Sequence, residues 1–429
     1  MNNIIIVPFH YWGPLNGSLK LSHILKQNGY NVIYVISQEF KDYVAAQGFE
    51  VFVYETPKKE GPNNWFSRVR KTYLNLKKRD TLIEEYAQQI MTRFKPIIVF
   101  NDSDIPRYAA VLQKHVPLVL YAVNPSNDRE ENIPPYFSNY IPKDSLGSKL
   151  YVDLVWRLWF LTKKIYFLKY EILSLGYFDF SLRRYYAKNK LDKRNLNSER
   201  SWPVGLKNIP ELFFYPAEFD FNKKNNTPNK YYVGPMVDLE RDRDMPFEWE
   251  PIKSSKYTIC CVMGTLADFY YPEIDRFYNL LIEAIKTRSD IMLILVAPGN
   301  NSSLNIGDAK NIFLYSKVPL SKVLEKCDLF INHAGFNSVK ESILKAVPLL
   351  LLPLSHQNDQ RGVAARCVFH GIAKRQNIRK TSALALLNDI DELLVNKSYK
   401  DNIIRWKGVF MASEWEKEAL LTFIKSRIR

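Results

Sequence analysis

The run Ile4-Ile-Ile-Val-Pro-Phe9, the turn-rich loop His10–Gly17, the helical spacing of Leu19, Leu21, Ile24 and Leu25, and then Gly29-Tyr30 and Val32-Ile-Tyr-Val-Ile36 decide the fold class. Strand, loop, helix and strand in that order make a βαβ unit, because parallel strands can be joined only through a crossover. The pattern recurs at Ile97–Phe100, Tyr108–Gln113 and Leu118–Val123, so the N-terminal half is expected to be a doubly wound α/β domain. The second half repeats the logic with strands expected at Tyr257–Met263 and Ile291–Ala297 around a helix at Glu273–Ile285, and shorter units follow to about residue 375.

A chain of 429 residues is longer than one hydrophobic core usually serves. The polar stretch Phe221–Lys230, then Tyr232-Val-Gly-Pro235 and the charged run Asp238–Asp244, read as a linker. The expected division is 1–238, 239–403 and a helical tail over 404–429. Residues 145–190 interrupt the α/β rhythm. There Trp156, Trp159, Phe160, Ile165, Tyr166, Phe167, Tyr170 and Ile172 alternate with Arg157, Lys163, Lys164 and Lys169. One reading is a helical insertion packed on the first domain; the other is an acceptor-binding wall or a membrane-surface helix.

The composition, 46% hydrophobic and 24% charged, is that of a folded protein. A formal charge of +15 attracts anions, whether nucleotide diphosphates, nucleic acid or an anionic membrane surface, although a chain rich in lysine is also basic for no such reason. With no arginine-rich tail or zinc-finger spacing, no nucleic-acid partner is expected. Cys260, Cys261, Cys327 and Cys367 lack paired metal-ligand spacing, so buried free thiols in a reducing compartment are expected. The start carries no basic segment or cleavage site, and no run of 18 apolar residues follows, so a cytoplasmic location is expected, with a peripheral contact on the inner membrane face as its variant.

The chemistry is carried by Val318-Pro-Leu-Ser-Lys-Val-Leu-Glu-Lys-Cys-Asp-Leu-Phe-Ile-Asn-His333-Ala-Gly335-Phe-Asn337-Ser338-Val-Lys-Glu341. A strand ends at a glycine turn and a helix begins near Asn337. Such a helix start offers unpaired N–H groups and a positive dipole end to a phosphate. His333 and Ser338 can add donors to a diphosphate, and Glu341 can accept from two ribose hydroxyls. Further on, Asp359-Gln360 follows a strand end and suits adjacent sugar hydroxyls.

This segment resembles the donor signature of family-1 glycosyltransferases, and Asp359-Gln360, Val363-Ala-Ala-Arg366 and His370-Gly371 resemble the bacterial zeaxanthin-glucosyltransferase-like members most. The resemblance implies a GT-B architecture of two facing Rossmann-like domains, with the tail crossing back to the N-terminal one. It also implies inverting transfer from a UDP-sugar, a hexose such as glucose, with no cofactor and no obligatory metal. UDP and TDP remain alternatives. The acceptor is expected to be a hydroxyl of a hydrophobic small molecule or lipid. The donor-binding set so implied is Gly264, Thr265, Val318, His333, Gly335, Asn337, Ser338, Glu341, Asp359 and Gln360. Leu320 stands where the family usually has glutamine, which shifts base recognition toward backbone groups, and the loop Pro353–Asp359 is about two residues longer than the pattern.

The family's catalytic histidine aligns with Pro14, which cannot take a proton. His10, earlier in the same loop, is the candidate replacement; a hydrogen-bonded strand-end histidine is the plain alternative. Asp102, in Pro96-Ile-Ile-Val-Phe-Asn-Asp102-Ser103, matches the family's orienting carboxylate and could also act as base by itself. Because of Pro14, a non-catalytic auxiliary relative that keeps the donor site stays open as a second function, and an epimerase of the same fold as a third.

Overall fold

The computed structural model describes the chain except residues 1, 55–80, 174–179, 202–203, 222, 224–226, 243, 250–254, 265–272, 298–303, 305, 356–357 and 429. Among the described residues, the N-terminal half builds a seven-stranded sheet. Its strands are β1 (Asn3–Val7), β2 (Asn31–Ile36), β3 (Glu50–Val53), β4 (Ile98–Asp102), β5 (Leu118–Ala122), β8 (Glu211–Phe213) and β9 (Lys230–Tyr232), and every pairing is parallel. A two-residue ribbon, β6 (Leu196–Asn197) with β7 (Gly205–Leu206), lies outside it. The second half builds a six-stranded parallel sheet from β10 (Tyr257–Val262), β11 (Ile291–Val296), β12 (Ile312–Tyr315), β13 (Leu329–Asn332), β14 (Leu349–Leu351) and β15 (Ala373–Arg375).

Parallel sheets covered on both faces need strands that are apolar on both sides, and this is why β1 reads as a continuous run: Ile4 to Val7 are all buried. Ile4 and Ile6 join one hydrophobic cluster while Ile5 and Val7 join the opposite one. Strand orders are β3-β2-β1-β4-β5-β8-β9 and β12-β11-β10-β13-β14-β15. The order in which strands are added therefore switches sides once in each sheet, between β1 and β4 and between β10 and β13, and ligands of open α/β sheets bind beyond the carboxyl ends of such strands.

The two halves share apolar surface, since Phe213, Tyr215 and Phe219 pack with Phe336, Ile403, Trp406 and Phe410. A buried ion pair reinforces the contact: Arg366 donates to the Asp220 carboxylate, with Nε at 2.7 Å. The tail is two helices, Lys397–Ser413 and Lys417–Arg427, and not one continuous element. The first packs on the second half, while Leu420, Phe423 and Ile424 of the other enter the core of the first.

Residues Leu146–Leu173 and Phe180–Lys188 are helical. Trp156 and Trp159 point inward, where their indole N–H groups donate to the carbonyls of Ile133 and Ser201 at 2.8 and 2.9 Å. Packing on the first half therefore claims these aromatics. The side chains of Tyr166, Phe167, Lys169, Tyr170 and Ile172 lie outside the described residues. All four cysteines are buried and free. Among the described residues no helix is long and apolar enough to cross a membrane.

Candidate functional site

The turn after β13 is built by its own sequence. The Asn332 side chain accepts the Ala334 N–H at 2.7 Å, Ala334 takes a left-handed φ of 64°, and Gly335 opens the helix Phe336–Lys345 with no side-chain cap. First-turn amides without a capping acceptor, at the positive end of the helix dipole, form an anion site. His333 stands over this turn between two glycines. A Cβ at Gly264 would come 2.9 Å from its ring, and one at Gly335 would come 2.6 Å. Gly264 also has a φ of 102°, closed to most L-residues. Burial pulls the His333 imidazole down to about 4, so it is neutral, and its Nδ1 has no hydrogen-bond partner.

Asn337 donates to the Gly13 carbonyl at 2.6 Å, which joins this helix to the first turn of the helix Trp12–Gln27, a helix that begins inside the stretch expected as a loop, and its Oδ1 is without a partner. Ser338 lies in the first turn, half-buried. Glu341, one turn on, is 3% exposed; one oxygen lies 3.4 Å from the Arg241 guanidinium and the other is buried without a partner. Burial raises its pKa and Arg241 opposes the rise. Among the described residues, His333 Nδ1 in the turn and Asn337 Oδ1 and Glu341 Oε2 on the helix behind it are thus three polar atoms without a partner. Buried polar atoms are ordinarily paired, so the cluster has the character of a ligand site.

Val318 is buried in the apolar cluster beneath that helix, and Leu320 opens the short helix Leu320–Leu324. Thr265 lies outside the described residues. Asp359 sits at the start of the helix Gln360–Phe369 without capping it; burial, together with Asp104 across the cleft, raises its carboxyl to about 7. The Gln360 side-chain oxygen, Oε1, accepts from the Leu354 and Ser355 backbone amides at 2.8 and 2.9 Å, which leaves the side-chain NH₂ for a ligand.

On the opposite wall Asp102 ends β4, 3% exposed. It accepts the Asp104 N–H at 2.9 Å and the Phe9 N–H at 3.4 Å. Burial and the neighbouring Asp104 push its pKa well above the carboxylate range, against the pull of those amides and of Arg200. His10 does not join it. Its ring packs on Tyr54 with centroids 4.9 Å apart, neither ring nitrogen has a hydrogen-bond partner, and burial lowers its pKa to about 4. Both the dyad and the hydrogen-bonded strand-end histidine are missing because an apolar aromatic pocket takes the ring. Pro14 lies in the first turn of the helix Trp12–Gln27, beside the Gly13 carbonyl that meets Asn337.

Three residues of this region were not singled out in the sequence. Arg241 was hidden in a charged run that reads as linker. Lys340 is fully buried and donates to the carbonyls of Phe214 and Pro235 at 3.3 and 3.1 Å; a lysine on the inner face of an amphipathic helix was its signal. Gly362 leaves room for the Tyr136 carbonyl, which a Cβ would overlap at 1.7 Å, a proximity with no local signature.

Residues 304–411 match the family model described as UDP-glucoronosyl and UDP-glucosyl transferase. The zeaxanthin glucosyltransferase of Pantoea ananas is 40% identical over 191 residues, 44% of this chain and 42% of that protein. The uncharacterized UDP-glucosyltransferase YdhE of Bacillus subtilis (strain 168) is 32% identical over 174 residues, 40% of this chain and 42% of that protein. The chain thus spans less than half the length of these curated relatives. A solved glycotransferase of kitacinnamycin superposes with a TM-score of 0.72 at 16% identity, over 100% of this chain and 99% of that one. The fold is GT-B, two α/β units with parallel sheets flanked by helices.

Proposed function

We propose, from the premise that this chain belongs through residues 304–411 to the UDP-glucuronosyl and UDP-glucosyl transferase family, that it transfers a hexose, glucose by preference, from a UDP-sugar to a hydroxyl of a hydrophobic acceptor. The observation that carries the reading is the cluster of unpaired polar atoms on His333, Asn337 and Glu341 at an uncapped helix start, beyond the switch point of the second sheet. The diphosphate lies at the amides of that helix and Ser338, the ribose hydroxyls at Glu341, and the sugar hydroxyls at Asp359 and the Gln360 amide. Gly264 gives the donor close backbone approach, with Thr265 following it.

Across the cleft, Asp102 takes the acceptor proton as the acceptor oxygen bonds to the anomeric carbon. The bond from that carbon to the phosphate oxygen breaks on the far side, UDP leaves with the electron pair, and the anomeric configuration inverts. Burial raises the Asp102 pKa, and a carboxylate with a raised pKa is a stronger base than an ordinary one when ionised, which supports Asp102 in the role without His10. His10 could take part only by leaving Tyr54. In this reading no metal is required, since helix amides neutralise the diphosphate charge. The enzyme works in the cytoplasm, with its lipophilic acceptor reaching it from the inner membrane face.

Incubation with UDP-glucose and a panel of hydroxylated lipophiles, read by mass spectrometry, tests the reading. A glycoside product is expected, and Asp102→Ala should abolish it. The auxiliary reading draws on Pro14 and on the unpaired His10. UDP-glucose bound tightly with no product from any acceptor would replace the catalytic reading with it.

A further inference from the structure

The helix Leu146–Leu173 turns Trp156 and Trp159 inward, and a row of other residues faces out. Leu146, Leu150, Leu154, Leu158, Leu161 and Ile165 recur every three or four residues and are between 50 and 74% exposed. That spacing sets them on one stripe, about 28 Å long at 1.5 Å per residue. Single exposed leucines are ordinary, whereas a continuous row of six calls for a partner. Lys149, Arg157 and Lys164 are exposed along one edge of the stripe. The acid nearest that edge, Asp153, is engaged by Arg129 and Arg157.

We propose that this leucine stripe with its basic edge is a docking face for an anionic lipid surface, on which the helix lies in the plane of the interface. Leucines enter the acyl boundary while lysine and arginine stems reach up to the head groups, the arrangement of interfacial helices. Charge selects the lipid surface over a second copy of this chain: two chains of +15 repel each other, while an anionic bilayer attracts each basic residue near its surface. The same helix packs Trp159 on Phe137, next to Tyr136, whose carbonyl abuts Gly362 beside the donor site. Docking would therefore bring the cleft beside the bilayer, a consequence that rests on the proposed function, whereas the docking itself does not.

Flotation of the full chain with phosphatidylcholine vesicles, with and without phosphatidylglycerol, tests it. The wild-type chain is expected to float with the anionic vesicles. The double variant Leu154→Glu and Leu158→Glu should lower the bound fraction at least about tenfold, because each loses the burial of a leucine side chain. Lys149→Gln, Arg157→Gln and Lys164→Gln together should remove the preference for phosphatidylglycerol, and they carry the test by charge if the double variant does not fold. Leu384→Glu, at an exposed leucine of the helix Ala383–Val395, should leave flotation unchanged. Absent flotation of the wild type, flotation of both sets of variants equal to that of the wild type, or a dimer that the double variant splits would overturn the proposal. Turnover of a water-soluble acceptor, measured on the same preparations, separates the two claims: turnover without flotation ends the docking claim, and flotation without turnover ends the catalytic one.

Discussion

The imidazole of His333 rests on the backbone of Gly264, so closely that a Cβ there would stand 2.9 Å from its Cε1. The contact bridges the ends of β10 and β13, the two strands that flank the switch point of the second sheet. It fixes where the histidine ring lies relative to the helix start.

Gly264→Ala introduces both a contact with that ring and a side chain at a φ of 102°. Backbone strain of this kind costs about 1–3 kcal/mol. If the ring moves to relieve it, UDP affinity should fall about tenfold to a hundredfold. Isothermal titration with UDP measures this, and an unchanged Kd would show that the His333 position does not matter to the nucleotide.

Glu341→Gln keeps the shape but removes the charge that, under the proposed function, accepts the ribose hydroxyls. Hydrogen bonds to charged groups contribute about 1.5–3 kcal/mol, so UDP should bind at least about tenfold more weakly. The decisive comparison is 2′,3′-dideoxyuridine diphosphate: the wild type should discriminate against it and the variant should not. Equal discrimination by both proteins would remove Glu341 from the ribose.

Asp102→Asn should act in opposite directions on activity and stability. Activity should fall by at least about a hundredfold, since a general base contributes that much or more. The folded pKa of Asp102 is raised, so its favourable contribution to stability is complete below the unfolded carboxyl pKa and is lost as pH rises through the folded one. The asparagine carries no charge to bury, so the variant should gain stability over the wild type at alkaline pH and not at acidic pH. Urea unfolding on both sides of neutrality measures the difference.

Under the proposed function, Asp359 is expected to set the low-pH limb of donor use. With its carboxyl raised to about 7 by burial and by Asp104, it takes up a proton as pH falls below 7 and loses an acceptor for sugar hydroxyls. kcat/KM for UDP-glucose should decline there in the wild type, and Asp359→Asn should lack that component of the decline. A limb of the same midpoint and amplitude in the variant would assign the titration to another group.

Asp220→Ala leaves the Arg366 guanidinium buried without its carboxylate at the contact between the halves. Breaking one side of such a pair typically costs about 3–5 kcal/mol. Chemical denaturation should show a loss of that order, and a loss below about 1 kcal/mol would mean that water reaches Arg366.

The fold was legible because it depends on periodicity. Buried parallel strands such as Ile4–Val7 must be apolar on both faces, and the glycine turn with an amphipathic helix behind it marks Phe336–Lys345 locally. His333 lies in the turn before the helix and Asn337 and Glu341 one turn apart within it, so their grouping is a matter of local spacing, and the structure keeps it. The acceptor side depends on the meeting of distant segments. Whether His10 turns to Asp102 or to Tyr54 is decided by packing between β1 and the residue after β3, which spacing does not encode. The outward face of 146–173 was obscured for a related reason: Trp156 and Trp159, which draw the eye in its composition, are side chains that packing claims, and leucines between and around them were left to face solvent.

Lys340 gives the donor helix a mechanical property. Its ammonium holds the carbonyl of Phe214, just after β8, and that of Pro235, at the start of the connection between the halves, from inside the helix Phe336–Lys345. Rotation of one half against the other must therefore turn this helix or break two hydrogen bonds. The axis of this helix is thus tied to the connection between the halves, so under the proposed function a change in the angle between them would also re-aim the helix dipole at a bound nucleotide.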